Sequence, residues 1–482
     1  MTLKNHVQLI VYPDSLGGDL VELHYVLRRY LSRAVGGIHL LPFYPSSADR
    51  GFAPLTYDEV DPVFGTWRDI DLIGREFDLI VDFMVNHISR QSTYFRDYFE
   101  KGTVSEFADM FLSFNKLSPD GEISETDLAK VYTRKPRPPY TLIQRADGSK
   151  EKLWCTFGYE QIDLDWQSPK THEVMRRYLI QLSRTPAKMI RMDAFAYCTI
   201  ELGTNCFFLE PQVWSLLGWL QEYVAPFGVE ILPEVHEHYR YHRKISDHGY
   251  WTYDFSLPML MLHTLYFHTS RRLKQWLAIC PHRQITTLDT HDGIGVVDVR
   301  DLLSAEELQR TLDGLDQKGA STRKVFSGPE YRNLDIYQVN CTYYSALECN
   351  DDSYIAARAI QFFTPGIPQV YYVGLLAGEN DFDLVYVTKN GRDINRHNYT
   401  LDEIDLAIKK PVVQRLLRLM EFRNACRAFE GEFAIEDAPD DRISLSWTRL
   451  PDRATLMVDL NTYAVRIDYF DPATQAMAVL EA

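Results

Sequence analysis

Eight short runs rich in apolar and β-branched residues recur through the first three quarters of the chain, and most are separated by stretches with helical periodicity. The runs are residues 7–12, 37–43, 79–85, 189–195, 229–235, 250–255, 285–289 and 367–373. Amphipathic helices are predicted at 20–31, 172–183 and 211–223. Parallel strands need a crossover element between them, so eight strands alternating with helices predict an α/β fold, a (β/α)8 TIM barrel.

Two intervals between these runs are too long for ordinary loops of a barrel. Residues 88–167 contain their own turn-forming segments and are predicted to be an inserted domain, and 296–348 form a second insertion after the seventh strand. Beyond residue 430 the pattern changes to short strands, predicted at 443–447, 455–458 and 465–469. The predicted domains are the barrel (1–87, 168–295 and 349–429), the insertions (88–167 and 296–348) and a small C-terminal β domain (430–482).

Charge and composition exclude several classes of partner. The 482 residues carry a formal net charge of −16, so neither nucleic acid nor an anionic membrane is expected to bind, and an anionic substrate needs a local cluster of cations. No stretch has the roughly 20 apolar residues of a membrane span, and the first residues do not resemble a signal peptide. The seven cysteines are scattered without a C-x-x-C pair, which favours free thiols over zinc or disulfides. We therefore expect a cytoplasmic protein.

Charged residues lie where several of the predicted strands end. The fourth run contains Arg191 and Asp193, two positions apart and therefore on the same side of a strand. Burying two charges costs several kcal/mol per ion unless they are paired, so the alternatives are a structural Arg–Asp pair and a functional site. The other strand ends carry Asn86 and His87, Glu234 and His236, and His291 and Asp292. Because active sites of barrels lie at the C-terminal ends of the strands, this repetition favours a functional site.

Converging acids could form a metal site, a glycosyl-transfer site or a structural network. Arg191 and the two histidines would compete with a metal cation. Retaining glycosyl transfer needs one ionised carboxylate as nucleophile and one protonated carboxyl as proton donor. Arg191 would keep Asp193 ionised, whereas the apolar neighbours of Glu234 would favour its protonated form. Glycosyl transfer therefore fits the pattern best, with no metal.

The segments around these residues resemble a known family. Residues 82–87 (DFMVNH), 190–193 (IRMD), 232–236 (LPEVH) and 288–292 (LDTHD) resemble, in this order, the four sequence regions of the α-amylase superfamily, glycoside hydrolase family 13. Residues 7–10, 48–52 (ADRGF), 291–296 (HDGIGV), 333–340 (NLDIYQVN), 369–374 (QVYYVG) and 390–397 (NGRDINRH) resemble its sucrose phosphorylase branch. The resemblance extends from residue 7 to about residue 430.

The resemblance implies a retaining double displacement in which sucrose and inorganic phosphate give α-glucose 1-phosphate and fructose, with transglucosylation to other acceptors. Asp193 would be the nucleophile that forms a β-glucosyl intermediate, Glu234 the general acid and base, and Asp292 the residue that binds the glucosyl hydroxyls and stabilises the transition state. The implied glucose subsite contains Asp49, Phe52, His87, Phe157, Gln161, Arg191, His291 and Arg392. Phe157 and Gln161 also fit a purely structural role, since an aromatic residue before a polar turn is common.

A phosphorylase also needs cations on the acceptor side and a site closed to water. The candidates are Arg134, Lys135, Arg137, His236 and Tyr197. The basic run is also compatible with a solvated turn. It departs from the Arg-Pro-Arg-Pro-Gly that the family usually has here, and Lys does not replace Arg at a bidentate site, which leaves the acceptor open.

A second acceptor segment is implied by the same resemblance. Asp335 and Gln338 would bind fructose, and exchange of Asp335 for Tyr337 would remove a negative charge before phosphate arrives. A sucrose 6′-phosphate enzyme would be expected to carry a cation near Gln338, so this residue favours fructose.

Several alternatives stay open. They are a glucosylglycerol or sucrose 6′-phosphate phosphorylase, a hydrolase, and a non-catalytic sugar-binding or partner subunit, which the intact Asp193, Glu234 and Asp292 argue against. The reaction implied by the resemblance needs no cofactor, neither pyridoxal phosphate nor a metal. The protein is expected to be a monomer or a homodimer.

Overall fold

The computed structural model describes residues 3–133, 137–317 and 338–481. They form two compact units, one made of residues 3 and 40–235 and the other of residues 4–39, 236–317 and 338–481. The barrel strands β1 to β8 are, in chain order, Gln8–Val11, Gly37–Leu40, Asp78–Met84, Ala187–Asp193, Glu230–Pro233, Thr252–Asp254, Gln284–Thr287 and Ile367–Tyr371. Each lies within one of the predicted runs or overlaps it.

The barrel strands pair in parallel. In the first unit β3 pairs with β4, which pairs with β5, and in the second unit the order is β6, β7, β8, β1. All their residues are buried apart from a few half-buried positions near the strand starts, as expected for parallel strands covered on both faces. With their connecting helices the eight strands make up a (β/α)8 barrel, so the predicted fold class is confirmed.

The helices begin at residues that satisfy their first backbone N–H groups. The Asp19 side chain accepts from Val21 and Glu22, and the Ser168 side chain caps the helix that starts at Pro169. The first predicted helix is α-helical only to Val26 and continues as a π-helix, Leu27–Leu31. The main α-helices are Leu20–Val26, Trp67–Glu76, Thr93–Lys101, Pro169–Ser183, Gln212–Val224, Tyr239–Asp247, Leu257–Phe267, Arg271–Leu277, Ala305–Gln317, Asp351–Phe363, Phe382–Thr388, Leu401–Ala407 and Pro411–Ala425. Short ones are Phe114–Leu117, Glu125–Leu128, Tyr343–Ala346 and Tyr372–Leu375.

The segment after β3 has secondary structure and apolar packing of its own. A strand pair, His87–Ser89 with Gln161–Asp163, begins and ends it, and a hairpin, Tyr140–Gln144 with Lys150–Trp154, lies within it. Its apolar cluster is made of Leu112, Phe114, Ile123, Trp154 and Cys206. The cluster includes a residue beyond 167, and the domain boundaries given above stay a prediction.

The C-terminal residues form an antiparallel sheet, as predicted. Its strands, in sequence and in spatial order, are Glu432–Ile435, Arg442–Arg449, Asp452–Asp459, Val465–Asp471 and Ala476–Glu481. Trp447 Nε1 donates to the carbonyl of Phe363 at 2.8 Å, which ties the sheet to the end of a barrel helix. None of the helices in the described ranges is both long and apolar enough to cross a bilayer.

Candidate active site

Arg191, near the end of β4, contacts three carboxylates. Its Nη1 lies 2.5 Å from Asp82 Oδ1 and 3.1 Å from Asp193 Oδ1, and its Nη2 lies 2.9 Å from Glu234 Oε1. Asp82 reaches it because β3 and β4 pair with Asp82 opposite Arg191. One guanidinium charge therefore faces three acids, two of them, Asp193 and Glu234, partly accessible to solvent with side-chain exposures of 12% and 11%.

The Glu234 carboxylate lies in a polar environment. Besides the contact with Arg191, its Oε2 accepts a hydrogen bond from the Ala194 N–H at 2.9 Å. Ala194 has a φ of 54°, in the left-handed region that an alanine rarely adopts. The carboxylate itself points to a guanidinium and a backbone donor, and the effect of the apolar chain neighbours Pro233 and Val235 on its protonation stays a prediction.

The side chains predicted to line the glucose subsite are partly assembled around Phe52. Its carbonyl oxygen lies 2.8 Å from His87 Nε2 and accepts from Gln161 Nε2 at 3.0 Å. The Phe52 ring lies 5.7 Å from the Arg191 guanidinium carbon, and the His87 and Phe157 rings are 5.7 Å apart. Asp49 lies exposed on the same loop as Phe52, at a φ of 52°. The structure thus brings Phe52, His87, Phe157 and Gln161 together, which the spacing in the sequence alone did not require.

Tyr197 belongs to an aromatic cluster that the sequence did not reveal. Its ring lies 5.0 Å from Phe157 and 5.0 Å from Phe207, and Tyr132 lies 4.7 Å from Phe207. The rings meet mostly edge to face, an arrangement that aromatic pairs favour. Tyr132 precedes Arg134, the first residue of the predicted basic run, by two positions, so the aromatic cluster and the basic run are close in the sequence.

Of that basic run, only Arg137 lies within the described residues. Its guanidinium carbon stacks 4.5 Å above the ring of Tyr159, and Nη2 donates to the Cys155 carbonyl at 3.5 Å. Arg134, Lys135, Asp335 and Tyr337 lie outside the described residues.

Asp163 is a buried acid beside the subsite. It pairs with His87 across the two-stranded sheet, and its carboxylate accepts from the Thr156 N–H at 3.0 Å and from the Thr156 hydroxyl at 2.6 Å. Complete burial raises the pKa of Asp163 to about 6, against the opposing effect of these hydrogen bonds.

In the second unit, Asp292 follows β7 and is surrounded by cations. Its Oδ1 lies 3.3 Å from Arg392 Nη1, and its Oδ2 lies 3.7 Å from His291 Nε2. Burial opposes ionisation of this carboxyl, but the charges of Arg392, His291, His236 and Arg396 outweigh it and hold the pKa of Asp292 well below its ordinary value. Asp292 is thus kept ionised.

The loop that carries Asp292 is fixed by two residues that the sequence reasoning did not select. Asn395 Nδ2 donates to the carbonyls of Thr290, at 3.1 Å, and Asp292, at 3.2 Å. Arg396 Nε donates to the carbonyl of His291 at 2.9 Å. Both lie in the 390–397 segment together with Arg392. Their position close to a predicted site residue was the one indication in the sequence that they belong to the site.

His236 and Gln338 also lie in the second unit. The His236 ring stacks on Phe255, with centroids 3.7 Å apart and planes at 16°. Gln338 pairs with Gly295, which lies three residues after Asp292, in a short antiparallel strand pair. Among the described residues, the buried Gln338 amide nitrogen has no hydrogen-bond partner.

Comparison with known proteins decides the family. Residues 22–204 match the model of the α-amylase catalytic domain. The chain is 49% identical over 459 residues to a sucrose phosphorylase of Streptococcus mutans, covering 95% of this chain and 93% of that one, and 46% identical over 482 residues to a glucosylglycerol phosphorylase of Marinobacter adhaerens, covering all of both. A crystal structure of sucrose 6F-phosphate phosphorylase from Thermoanaerobacter thermosaccharolyticum superposes with a TM-score of 0.95 at 46% identity, covering 100% of this chain and 99% of that one.

The chain belongs to the α-amylase superfamily, glycoside hydrolase family 13. Within it, the relatives place the chain in the sucrose phosphorylase branch, and it is an enzyme of the glycosyl phosphorylase type. The family resemblance read from the sequence is confirmed.

Asp82 is the residue of this family member that the sequence reasoning most clearly missed as part of the site. It lies inside an apolar run, and its contact with Arg191 depends on the pairing of β3 with β4. The signal available in the sequence was a carboxylate in an otherwise apolar strand. Because the guanidiniums of Arg191 and Arg392 already contact Asp193, Glu234 and Asp292, we assign none of these acids to a metal ion.

Proposed function

We propose that the enzyme transfers the glucosyl group of sucrose to inorganic phosphate with retention of configuration, giving α-glucose 1-phosphate and fructose. The observation that carries this proposal is that Arg191 holds Asp193 and Glu234 together, so that both acids can act on one anomeric carbon. A retaining mechanism needs such a pair, one member to attack the carbon and one to transfer the proton.

In the first step, an oxygen of Asp193 attacks the anomeric carbon while Glu234 gives its proton to the glycosidic oxygen, and fructose leaves. The contact with Arg191 keeps Asp193 in its carboxylate form. In the second step, a phosphate oxygen attacks the glucosyl ester, its proton passes to Glu234, and Asp193 is released as the carboxylate. Glu234 thus begins and ends the cycle protonated.

Asp292 supports both steps as a permanent anion. Positive charge develops at the anomeric carbon in the transition state. Hydrogen bonds from the glucosyl hydroxyls to an ionised carboxylate become stronger as this charge develops. The low pKa of Asp292, caused by its cationic neighbours, keeps it ionised throughout the working pH range. His87, Phe52, Gln161 and Phe157 would form the apolar and hydrogen-bonding wall of the glucose subsite.

The acceptor side rests on fewer contacts. The Gln338 amide nitrogen is buried without a partner among the described residues, and a fructose hydroxyl would satisfy it. Arg134, Lys135, Arg137, His236 and Tyr197 stay the candidates for the phosphate. We further propose a cytoplasmic monomer or homodimer.

A second candidate is phosphorolysis of glucosylglycerol. The glucosylglycerol phosphorylase of Marinobacter adhaerens matches this chain over the whole length of both. Glycerol offers few groups to recognise, so this reaction would depend less on Gln338.

Release of glucose 1-phosphate from sucrose, sucrose 6′-phosphate and glucosylglycerol, with and without phosphate, tests these proposals. We expect phosphate-dependent product from sucrose and none from the Asp193→Asn variant. Cleavage that is equally fast without phosphate, with free glucose formed in place of glucose 1-phosphate, would show a hydrolase. Phosphate-dependent product from glucosylglycerol alone would show the second candidate.

The exchange of Asp335 for Tyr337 needs its own measurement. If Tyr337 displaces Asp335 when phosphate binds, Tyr337→Ala should bind phosphate more weakly than the wild type. Equal affinity in the two proteins would contradict the exchange.

A further inference from the structure

Behind His236 lies a buried carboxylate that the mechanism above does not use. Asp298 is fully buried, and its Oδ2 lies 3.9 Å from His236 Nδ1, while its Oδ1 lies 3.8 Å from His242 Nε2. Among the described residues, neither carboxylate oxygen accepts a hydrogen bond. In the described structure, two imidazoles that can carry a positive charge thus lie against this acid.

Asp298 differs in this respect from Asp254, a second fully buried acid of the same unit. Asp254 accepts hydrogen bonds from the N–H groups of Ser256 and Leu257 and from Trp276 Nε1. Its charge is thus stabilised by neutral donors. A buried carboxylate without such donors costs several kcal/mol unless a cation lies beside it.

The surroundings of Asp298 are built to hold it in this place. The Ser256 hydroxyl donates to its backbone carbonyl at 2.9 Å. A Cβ at Gly295 would lie 2.2 Å from Asp298 Oδ2, so only glycine leaves room for the carboxylate there. On the other side, the His236 ring is fixed by its stacking on Phe255.

We propose that Asp298 is a positioning residue for phosphate: it holds His236 as an imidazolium, and this charge attracts the acceptor anion. The proposal rests on the proposed phosphorylase function. Asp298 meets the ring at Nδ1, so a second proton at Nε2 can be donated to an anion. His242 competes with His236 for the same carboxylate. Two further acids interact with these groups: Asp292 with His236, and Asp254 with Asp298.

The test compares two acceptors in two variants. Asp298→Asn has the same shape without the charge, and it should raise the KM for phosphate about tenfold, the effect of losing ~1.4 kcal/mol, at nearly constant kcat. Transfer to a neutral acceptor such as glycerol should keep its KM. His242→Asn removes the competing imidazole, so its KM for phosphate should not rise.

Each outcome decides the proposal. An unchanged KM for phosphate in Asp298→Asn would overturn it. Equal losses with phosphate and glycerol, or an equal rise in both variants, would show a merely structural role and overturn it as well. Thermal unfolding of both variants checks folding. If Asp298→Asn has lost cooperative unfolding, Asp298→Ser replaces it, and the same expectations apply. A wild type that needs no phosphate would refute the proposed function instead.

Discussion

Replacement of Asp163 by asparagine should stabilise the protein more at alkaline than at acid pH. The folded protein raises the pKa of Asp163 from 3.8 to about 6 by burial, so the folded state binds the proton more tightly than the unfolded state. The stability that this proton contributes is fully present below the unfolded value, falls as the pH rises, and is lost above about 6. Asparagine never carries the charge and avoids that loss.

The magnitude follows from the shift. About two pKa units correspond to ~3 kcal/mol, the cost of the buried charge above the folded pKa. At pH 4.5, the same linkage between pKa and stability gives a cost of ~1 kcal/mol for the buried Asp163 carboxyl. The stability difference between Asp163→Asn and wild type should therefore change by about 2 kcal/mol between pH 4.5 and pH 8. The absolute difference is smaller, since asparagine weakens the hydrogen bonds from Thr156.

Urea unfolding of both proteins at the two pH values measures this change. Asp254→Asn is the matched comparison, because burial also raises the pKa of Asp254 to about 6. The Asp254 carboxylate accepts hydrogen bonds from three N–H groups, and an amide nitrogen cannot accept them, so Asp254→Asn should be less stable than Asp163→Asn. Its stability relative to wild type should nevertheless change with pH by a similar amount. The reasoning is refuted if the difference for Asp163→Asn does not vary between pH 4.5 and pH 8.

Three further predictions concern the site. Arg191→Lys cannot contact three carboxylates at once, so kcat should fall about 100-fold with the fold retained in circular dichroism, whereas Asp82→Asn, which keeps the guanidinium, should lose less. Arg392→Gln removes one of the charges that lower the pKa of Asp292, so the acid limb of the kcat/KM profile should move to higher pH; an unmoved limb would contradict this assignment. Gln338→Ala should raise the KM for fructose in the synthetic direction about tenfold, because one hydrogen bond from a buried donor is lost, and it should leave the KM for phosphate unchanged. Equal effects on both KM values would show that Gln338 does not bind fructose.

The fold was predictable because its strands are local features. Residues 79–85 and 367–373 are mostly apolar, interrupted by Asp82 and Gln369, and both contain barrel strands that are buried over their whole length, as expected for strands covered on both faces. Arg191 and Asp193 were predictable as a pair because alternate residues of one strand share a face. These inferences need no knowledge of distant contacts.

The remaining features depend on contacts between strands that are far apart in sequence. Asp82 looks like an interruption of an apolar run until the pairing of β3 with β4 places it opposite Arg191. The contacts of Glu234 with Arg191 and with the Ala194 N–H could not be inferred from its chain neighbours Pro233 and Val235. Asp298 gives no signal at all in the sequence, since its relation to His236 arises from separate loops of the barrel.

The charged groups around Arg191 and those around Asp292 differ in composition: acids outnumber cations in the first, and cations outnumber acids in the second. This difference matches the role proposed for each. Around Arg191 one cation contacts three acids, Asp82 and the two carboxyl groups that a retaining transfer needs. Around Asp292 several cations serve one acid, a composition that keeps the acid ionised and attracts an anion. Although the chain has a net charge of −16, the cations around Asp292 supply the local positive charge that the proposed binding of phosphate would need.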